Sequence, residues 1–492
     1  MTEEEGVRQS PDANTDKKSF GKDVGKLVSG TVVAQVVGII LIPIITRIFS
    51  PEIYGLAAIF ISIVSILTGI SCLQYELAIL LPKEEKDASS LFIACLSVLF
   101  CFSIVLIPVF FFFGDPILAL FNGSELSTYV MLIPLLVFID GLYLVLRYWN
   151  TRKKRFGTQA ATQVVQSLSG NGLKLGFGLG GLVSAGSLII AQIIGQTLGT
   201  LVLFFQMIRY DAAKIRAGCS IEAIKAQMIR YKKFPLINTW SQLVNTVSWQ
   251  LPVLMLSALF SSTIAGLYTL GFQMLQLPMS FIGRSIGQVF FQRASVAKHE
   301  GNLSAVVEDT CSLLFLLSIC PFLLLCIVGG DLFSIVFGEI WRDAGIFAQI
   351  LALWTLLWFV SSPMGSIIGV LEIQGFGMMT STANLISRFL SLFIGAVFGN
   401  VYLAIILFAL SGVIIYGYCI YAFVTRSGGS MRVVWRNIRN TVYIWVGIAG
   451  ILAILSINQI SGYILCGLAI LIGIFYIMYL VRKNPLVKLY LF

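Results

Sequence analysis

Long apolar runs separated by short polar breaks dominate the chain. A helix crossing a hydrocarbon core about 30 Å thick needs roughly 20 apolar residues. Runs of that kind fall near 27–49, 56–81, 88–113, 129–147, 159–182, 187–208, 236–260, 264–291, 304–329, 345–371, 378–399, 402–425, 441–457 and 462–481. The pattern predicts an all-α polytopic membrane protein of about 14 transmembrane helices. An even number places both termini on one side.

The basic residues say which side. Of 33 Lys and Arg, 28 lie in the N-terminal tail, in the stretches 82–87, 147–155, 209–233, 293–298 and 426–439, and in the C-terminal tail. All seven stretches share one side of a fourteen-helix trace. By the positive-inside rule that side is cytoplasmic, and so are both termini. The expected setting is the bacterial cytoplasmic membrane. Composition agrees: 58% of the 492 residues are hydrophobic and 11% charged, against roughly 25% charged in soluble domains. A soluble enzyme on a single anchor is excluded. The net charge of +10 is an orientation signal, not a nucleic-acid footprint, which needs basic residues gathered on one water-facing surface. The chain opens on Glu3, Glu4 and Glu5 without a basic n-region, so no cleaved signal peptide is expected.

Self-similarity divides the spans. Phe49-Ser50-Pro51-Glu52-Ile53-Tyr54-Gly55-Leu56 and Phe260-Ser261-Ser262-Thr263-Ile264-Ala265-Gly266-Leu267 share F-S-x-x-I-x-G-L at an offset of 211. Gly114-Asp115 with Phe121 matches Gly330-Asp331 with Phe337 at 216, and Pro108 matches Pro321 at 213. Each pair joins span n to span n+6, which predicts two pseudo-symmetric six-helix lobes plus two C-terminal helices. A parallel repeat of this kind is a transporter architecture. The expected organisation is a polar tail at 1–26, an N-lobe at 27–208, a cytoplasmic linker at 209–235 with an amphipathic helix, and a C-lobe at 236–425. A basic loop at 426–440 and spans 13 and 14 with a tail at 441–492 complete it.

Five basic residues lie outside the cytoplasmic set: Arg47, Lys174, Arg284, Arg342 and Arg388. Arg342 belongs to an outer loop. Lys174 and Arg388 fall near mid-membrane, where a cation costs about 2.5–3.5 kcal/mol on insertion scales. Arg284 sits nearer the cytoplasmic end of its span and Arg47 at the outer end of the first. The acids within spans are Glu76 and Asp140, with Glu372 at the end of span 10, too few at the centre to neutralise the cations. A hydrated basic cavity that attracts an anion is the favoured reading, with Arg47, Lys174, Arg284 and Arg388 as its candidate binding residues. Glu76 and Asp140 are candidates for ion coupling. Lys174 and Arg388 are 214 residues apart, but aligning Phe156-Gly157 with Phe376-Gly377 gives 220, which leaves their register open.

Catalytic and cofactor chemistry finds little support. Nine Cys show no C-x-x-C spacing and eight sit in apolar runs, as small buried residues do. The single His, His299, nearly excludes zinc and Ser-His or Cys-His couples. Gly283-Arg284-Ser285-Ile286-Gly287 reads G-x-S-x-G, but inside an apolar helix, not a strand-turn-helix elbow. No phosphate-binding G-x-x-x-x-G-K-[ST] occurs. No cofactor or metal is expected.

Thr46-Arg47-Ile48-Phe49-Ser50-Pro51-Glu52-Ile53-Tyr54-Gly55-Leu56 resembles the signature of the polysaccharide transporter family, the O-antigen and exopolysaccharide flippases. Tyr75 to Lys83, Arg152 to Phe156, Val289-Phe290-Phe291 and Glu300-Gly301-Asn302 are also similar to that family. The wider superfamily contains lipid II flippases and multidrug extruders. The resemblance implies paired six-helix lobes that move a polyprenyl-diphosphate-linked oligosaccharide from the cytoplasmic to the periplasmic face by alternating access. It implies binding roles for basic cavity residues at Arg47 and Arg284. Expected partners are the lipid-linked oligosaccharide, membrane lipids, and a polysaccharide polymerase with chain-length machinery. No nucleic acid is expected. A lipid II-type flippase, a cation-coupled multidrug exporter relying on Asp140 and Glu76, and a membrane-embedded polymerase or glycosyltransferase are the alternatives.

Overall fold

The polar breaks of the sequence become helix ends in a computed structural model that describes residues 35–217, 220–458 and 461–483. The tail at 1–26 and most of the C-terminal tail lie outside the described residues. Every regular element among the described residues is helical. In chain order they begin α1 (Gln35–Ile48), α2 (Pro51–Ser71), the one-turn α3 (Tyr75–Ala78), α4 (Glu85–Leu120), α5 (Leu132–Arg152), α6 (Phe156–Leu179), α7 (Ala185–Ala217) and α8 (Ile221–Arg230). They continue α9 (Thr239–Leu259), α10 (Ser262–Leu275), α11 (Arg284–Glu300), α12 (Leu303–Phe337), α13 (Arg342–Met364), the short α14 (Ile367–Val370), α15 (Gln374–Val397), α16 (Val401–Arg426), α17 (Met431–Ile457) and α18 (Gly462–Lys483).

Each predicted span coincides with a helix or a broken train of helices. Ten are long and apolar enough to cross a membrane unaided. The other four stretches expected as spans fall, within the described residues, on α1, α6, α9 and the pair α10–α11, which do not meet that standard, so ten of the fourteen are established. These are shorter, broken, or interrupted by polar side chains such as Gln166, Asn171 and Lys174 in α6. The lipid solvent is visible in α4, where Phe100, Val105, Phe111, Phe112 and Phe113 are all exposed. Cys101 is exposed there too, unlike the buried position expected of it, because this face of α4 packs on nothing among the described residues.

The chain divides into two compact units. One gathers residues up to Ile45, Val64–Gly114 and Thr128–Gln242; the other gathers Thr46–Ile63, Asp115–Ser127 and the chain from Leu243 on. In the first unit, Trp149, Phe92, Leu146 and Leu203 form a buried core. Asp211, 1% exposed, accepts from Trp149 Nε1 at 3.0 Å and from Arg155 Nη2 at 3.1 Å.

The second unit brings the repeated motifs together. Ser50 and Ser261 are matching N-caps, their hydroxyls accepting from the amides of Ile53 (3.4 Å) and Ile264 (3.2 Å). That explains the F-S-x-x-I spacing, since an N-cap side chain satisfies the free N3 amide. The motif glycine is explained by contact. A β-carbon on Gly55 would overlap the carbonyl oxygen of Ser262, and one on Gly266 would overlap that of Pro51. Pro51 and Ser262 are themselves 211 residues apart, so the two copies cross reciprocally, as related surfaces do about a two-fold axis. Flanking hydrogen bonds repeat the relation. Thr46 Oγ1 donates to Phe337 O at 3.5 Å and Ser257 Oγ to Phe121 O at 2.7 Å. The carbonyl of Thr46 accepts from Trp341 Nε1 (2.7 Å) and that of Ser257 from Asn122 Nδ2 (2.6 Å).

Candidate functional site

Polar groups inside the bundles are the features that hydrocarbon penalises, and the structure places each of them. Arg388 sits on α15 in the second unit, 2% exposed. Its position depends on a proline in α9. Pro252 lies inside that helix and has no N–H to give the carbonyl four residues earlier, which is Ser248. Arg388 Nη1 supplies the missing donor, 2.6 Å from Ser248 O and 3.1 Å from Ser248 Oγ. Around the guanidinium stand the rings of Trp249 at 4.4 Å, Phe408 at 5.7 Å and Trp354 at 5.8 Å. Aromatic faces and a carbonyl hold this cation, an arrangement worth more when desolvated than at a surface. Among the described residues no carboxylate forms an ion pair with it.

Arg388 borders a cavity of about 190 Å³. By the roughly 30 Å³ that one water occupies, that is room for about six. Asn245 and Trp249 of α9, Trp358 and Ser361 of α13, Asn384 of α15 and Tyr416 of α16 line it. Trp358 leans on Trp249, centroids 5.3 Å apart and planes at 56°. Asn384 Nδ2 donates to Thr380 O at 2.9 Å, which leaves its Oδ1 as the acceptor.

A second, apolar groove of about 670 Å³ lies in the same unit. Leu277 and Phe281 between α10 and α11, Leu324 and Leu325 of α12, and Ile470 and Gly473 of α18 line it. Tyr476 of α18 points its hydroxyl to Leu316 O at 2.8 Å, so the polar tip is satisfied and the ring faces the groove.

In the first unit Lys174 is half-buried on α6 and donates to Gln192 Oε1 at 3.4 Å. Asp140 of α5 accepts from the side chain of Gln196. Gln192 and Gln196 are one turn apart on α7, so the proposed anion-binding cation and the proposed coupling acid share a helix face through neutral amides. Glu76, 3% exposed in α3, has no hydrogen-bond partner at Oε2. It follows Leu73 and Gln74, both at positive φ (50° and 61°), where the second span breaks. Arg47 is exposed and donates to Ile335 O at 3.0 Å. Arg284 heads α11, and its side chain lies outside the described residues.

Helix limits offer a third register for the two central cations, beside the offsets of 214 and 220. α6 and α15 each have 24 residues, and their starts differ by 218. On that register Arg388 corresponds to Gly170, one turn before Lys174. At Gly170 the N-lobe has a close helix crossing instead of a cation, since a β-carbon on Gly195 would meet Gly170 Cα at 2.9 Å. Trp249, Trp358, Asn245 and Asn384 were missed among the candidate residues. The signal that could have found them is Pro252, an orphaned carbonyl in an apolar span that demands a donor.

Comparison with known proteins gives the family and fold. Residues 44–346 match the model of a family described as polysaccharide biosynthesis protein. Stage V sporulation protein B of Bacillus subtilis (strain 168) is 22% identical over 401 residues, 74% of this chain and 75% of that protein. Among solved structures, the lipid II flippase MurJ in an inward closed conformation superposes with a TM-score of 0.69 at 13% identity, covering 93% of this chain and 99% of that one. An inward-facing multidrug resistance MATE family transporter of the MOP superfamily gives 0.66 at 12% identity, covering 80% and 94%. The chain thus shares its fold with both of these structures.

Proposed function

Because the chain belongs to the polysaccharide biosynthesis protein family, we propose that it is a flippase for a polyprenyl-diphosphate-linked oligosaccharide, an O-antigen or exopolysaccharide repeat unit. It works by alternating access across the bacterial cytoplasmic membrane, with both termini cytoplasmic. The observation that carries this reading is the buried Arg388 beside a polar cavity within the membrane-crossing helices of the second unit. A diphosphate cannot enter hydrocarbon unaided, and a cation held inside the bundle offsets its desolvation. The apolar groove along α18 suits the polyprenyl chain.

In this reading Arg388 and Lys174 bind the diphosphate during transit, and Arg47 and Arg284 act near the outer and inner openings. Asp140 and Glu76 are the groups through which an ion gradient would act. The partners are the lipid-linked oligosaccharide, membrane lipids, and the polymerase with its chain-length machinery. Surface display of the glycan in a strain lacking the native gene is the test. Arg388→Ala and Lys174→Ala should each reduce display at least tenfold while the protein stays in the membrane. Unchanged display by both would overturn the assignment.

A second reading, a cation-coupled drug exporter, is favoured by the buried Glu76 with its unpartnered oxygen. It predicts drug efflux lost in Glu76→Gln or Asp140→Asn, with glycan display unaffected.

A further inference from the structure

We infer that the cavity beside Arg388 is a saccharide subsite, one that takes a single sugar ring of the transported molecule, with Trp358 as its platform and Asn245 and Asn384 reading the hydroxyls. The inference rests on the flippase reading and adds to it a ligand class for these residues.

The lining chemistry excludes the other ligands such a protein could hold there. A diphosphate carries two or more negative charges and calls for several cations; this cavity offers Arg388 alone, at its border, which can touch the edge of a diphosphate but not enclose one. A cationic drug calls for a carboxylate, and none lines the cavity. A lipid tail calls for an apolar wall like that of the groove along α18. What remains is a neutral ligand with hydroxyls at its edge and C–H groups on its face. Sugar rings have that character.

Each group is built for the part. Trp249 has Arg388 4.4 Å from its ring centroid and stacks on Phe272, nearly parallel at 21° and 6.1 Å. Trp358, tilted 56° against it, lines the cavity beside it. Rings supply flat apolar contact with a polar handle at low entropic cost. Asn384 gives one of its two amide hydrogens to Thr380 O and keeps the second, with its carbonyl oxygen, for a ligand. Asn245 is exposed at the rim. An amide or hydroxyl both donates and accepts, as a sugar hydroxyl does. Arg388 adjoins this ring, so the sugar taken is the one next to the diphosphate.

The test is isothermal titration of the purified full-length protein in lipid nanodiscs with glucose, galactose and N-acetylglucosamine, and separately with inorganic pyrophosphate. At least one sugar should bind. Trp358→Ala and Asn384→Ala should weaken it at least tenfold, Trp358→Phe should weaken it less, and saturating pyrophosphate should leave it in place. Failure of all three sugars to bind, binding unchanged in Trp358→Ala and Asn384→Ala, or displacement by pyrophosphate overturns the subsite. Surface display is the separate readout for the flippase reading. Display without sugar binding keeps that reading and rejects the subsite, whereas sugar binding without display does the reverse.

Discussion

Two regions of the second unit treat the internal repeat in opposite ways. Where Gly55 crosses Gly266, the backbone contacts have counterparts: an N-cap serine, a glycine against a carbonyl, and a hydroxyl donating into a helix end. Around Arg388 nothing has one. On the register of the helix limits its N-lobe equivalent is Gly170, and the nearby Lys174 bonds to a glutamine on α7 instead of a carbonyl freed by proline. Closure depends on backbone geometry that both halves must share. Binding chemistry depends on side chains that need to be present only once.

The largest effects should come from attacking the symmetric region. Gly55→Ala and Gly266→Ala each force a methyl onto a backbone carbonyl, and overpacking of this kind costs about 1–3 kcal/mol. Thermal unfolding of the detergent-solubilised protein should drop by similar amounts for either. The double variant should fall short of their sum, because one shift of the helices relieves both overlaps. Full additivity would mean that the two glycines are independent.

Next comes the asymmetric region. Arg388→Met leaves the Ser248 carbonyl unpaired, a loss of about 1–3 kcal/mol for a buried polar group. Adding Pro252→Ala restores an amide donor four residues on. The double variant should therefore be more stable than Arg388→Met alone, read as a rise in Tm, though still defective in display. A further fall in Tm would break the link between the proline and the arginine.

The smallest effect sharpens the symmetry itself. Thr46→Val and Ser257→Ala each remove one hydrogen bond, worth about 0.5–1.5 kcal/mol. They should lower Tm by amounts that agree within the measurement, and a large disparity would show that the two copies carry unequal load.

The symmetric region was legible in sequence because it is local. F-S-x-x-I-x-G-L encodes a cap, a first turn and a crossing point within eight residues, and its recurrence gave the repeat. The span count was less secure, since α6 and α9 carry polar residues that lower their hydropathy to the margin. The partners of Arg388 were hidden by distance, Ser248 lying 140 residues earlier. Half of that relation was nonetheless readable, because a proline inside a span always frees a carbonyl. The bonds of Lys174 and Asp140 to α7 had a similar local sign in Gln192 and Gln196, two amides one turn apart within an apolar run.

The reciprocal glycine crossing bears on how such a chain arises. A surface that meets its own copy across a two-fold axis is what a symmetric dimer presents. A half-length ancestor bearing F-S-x-x-I-x-G-L would have paired through this face before any gene fusion joined the halves. Joining them keeps the old dimer contact as an internal seam and lifts the demand that both partners be identical. One half can then carry an arginine where the other keeps a packing glycine, a difference that an identical pair could not hold.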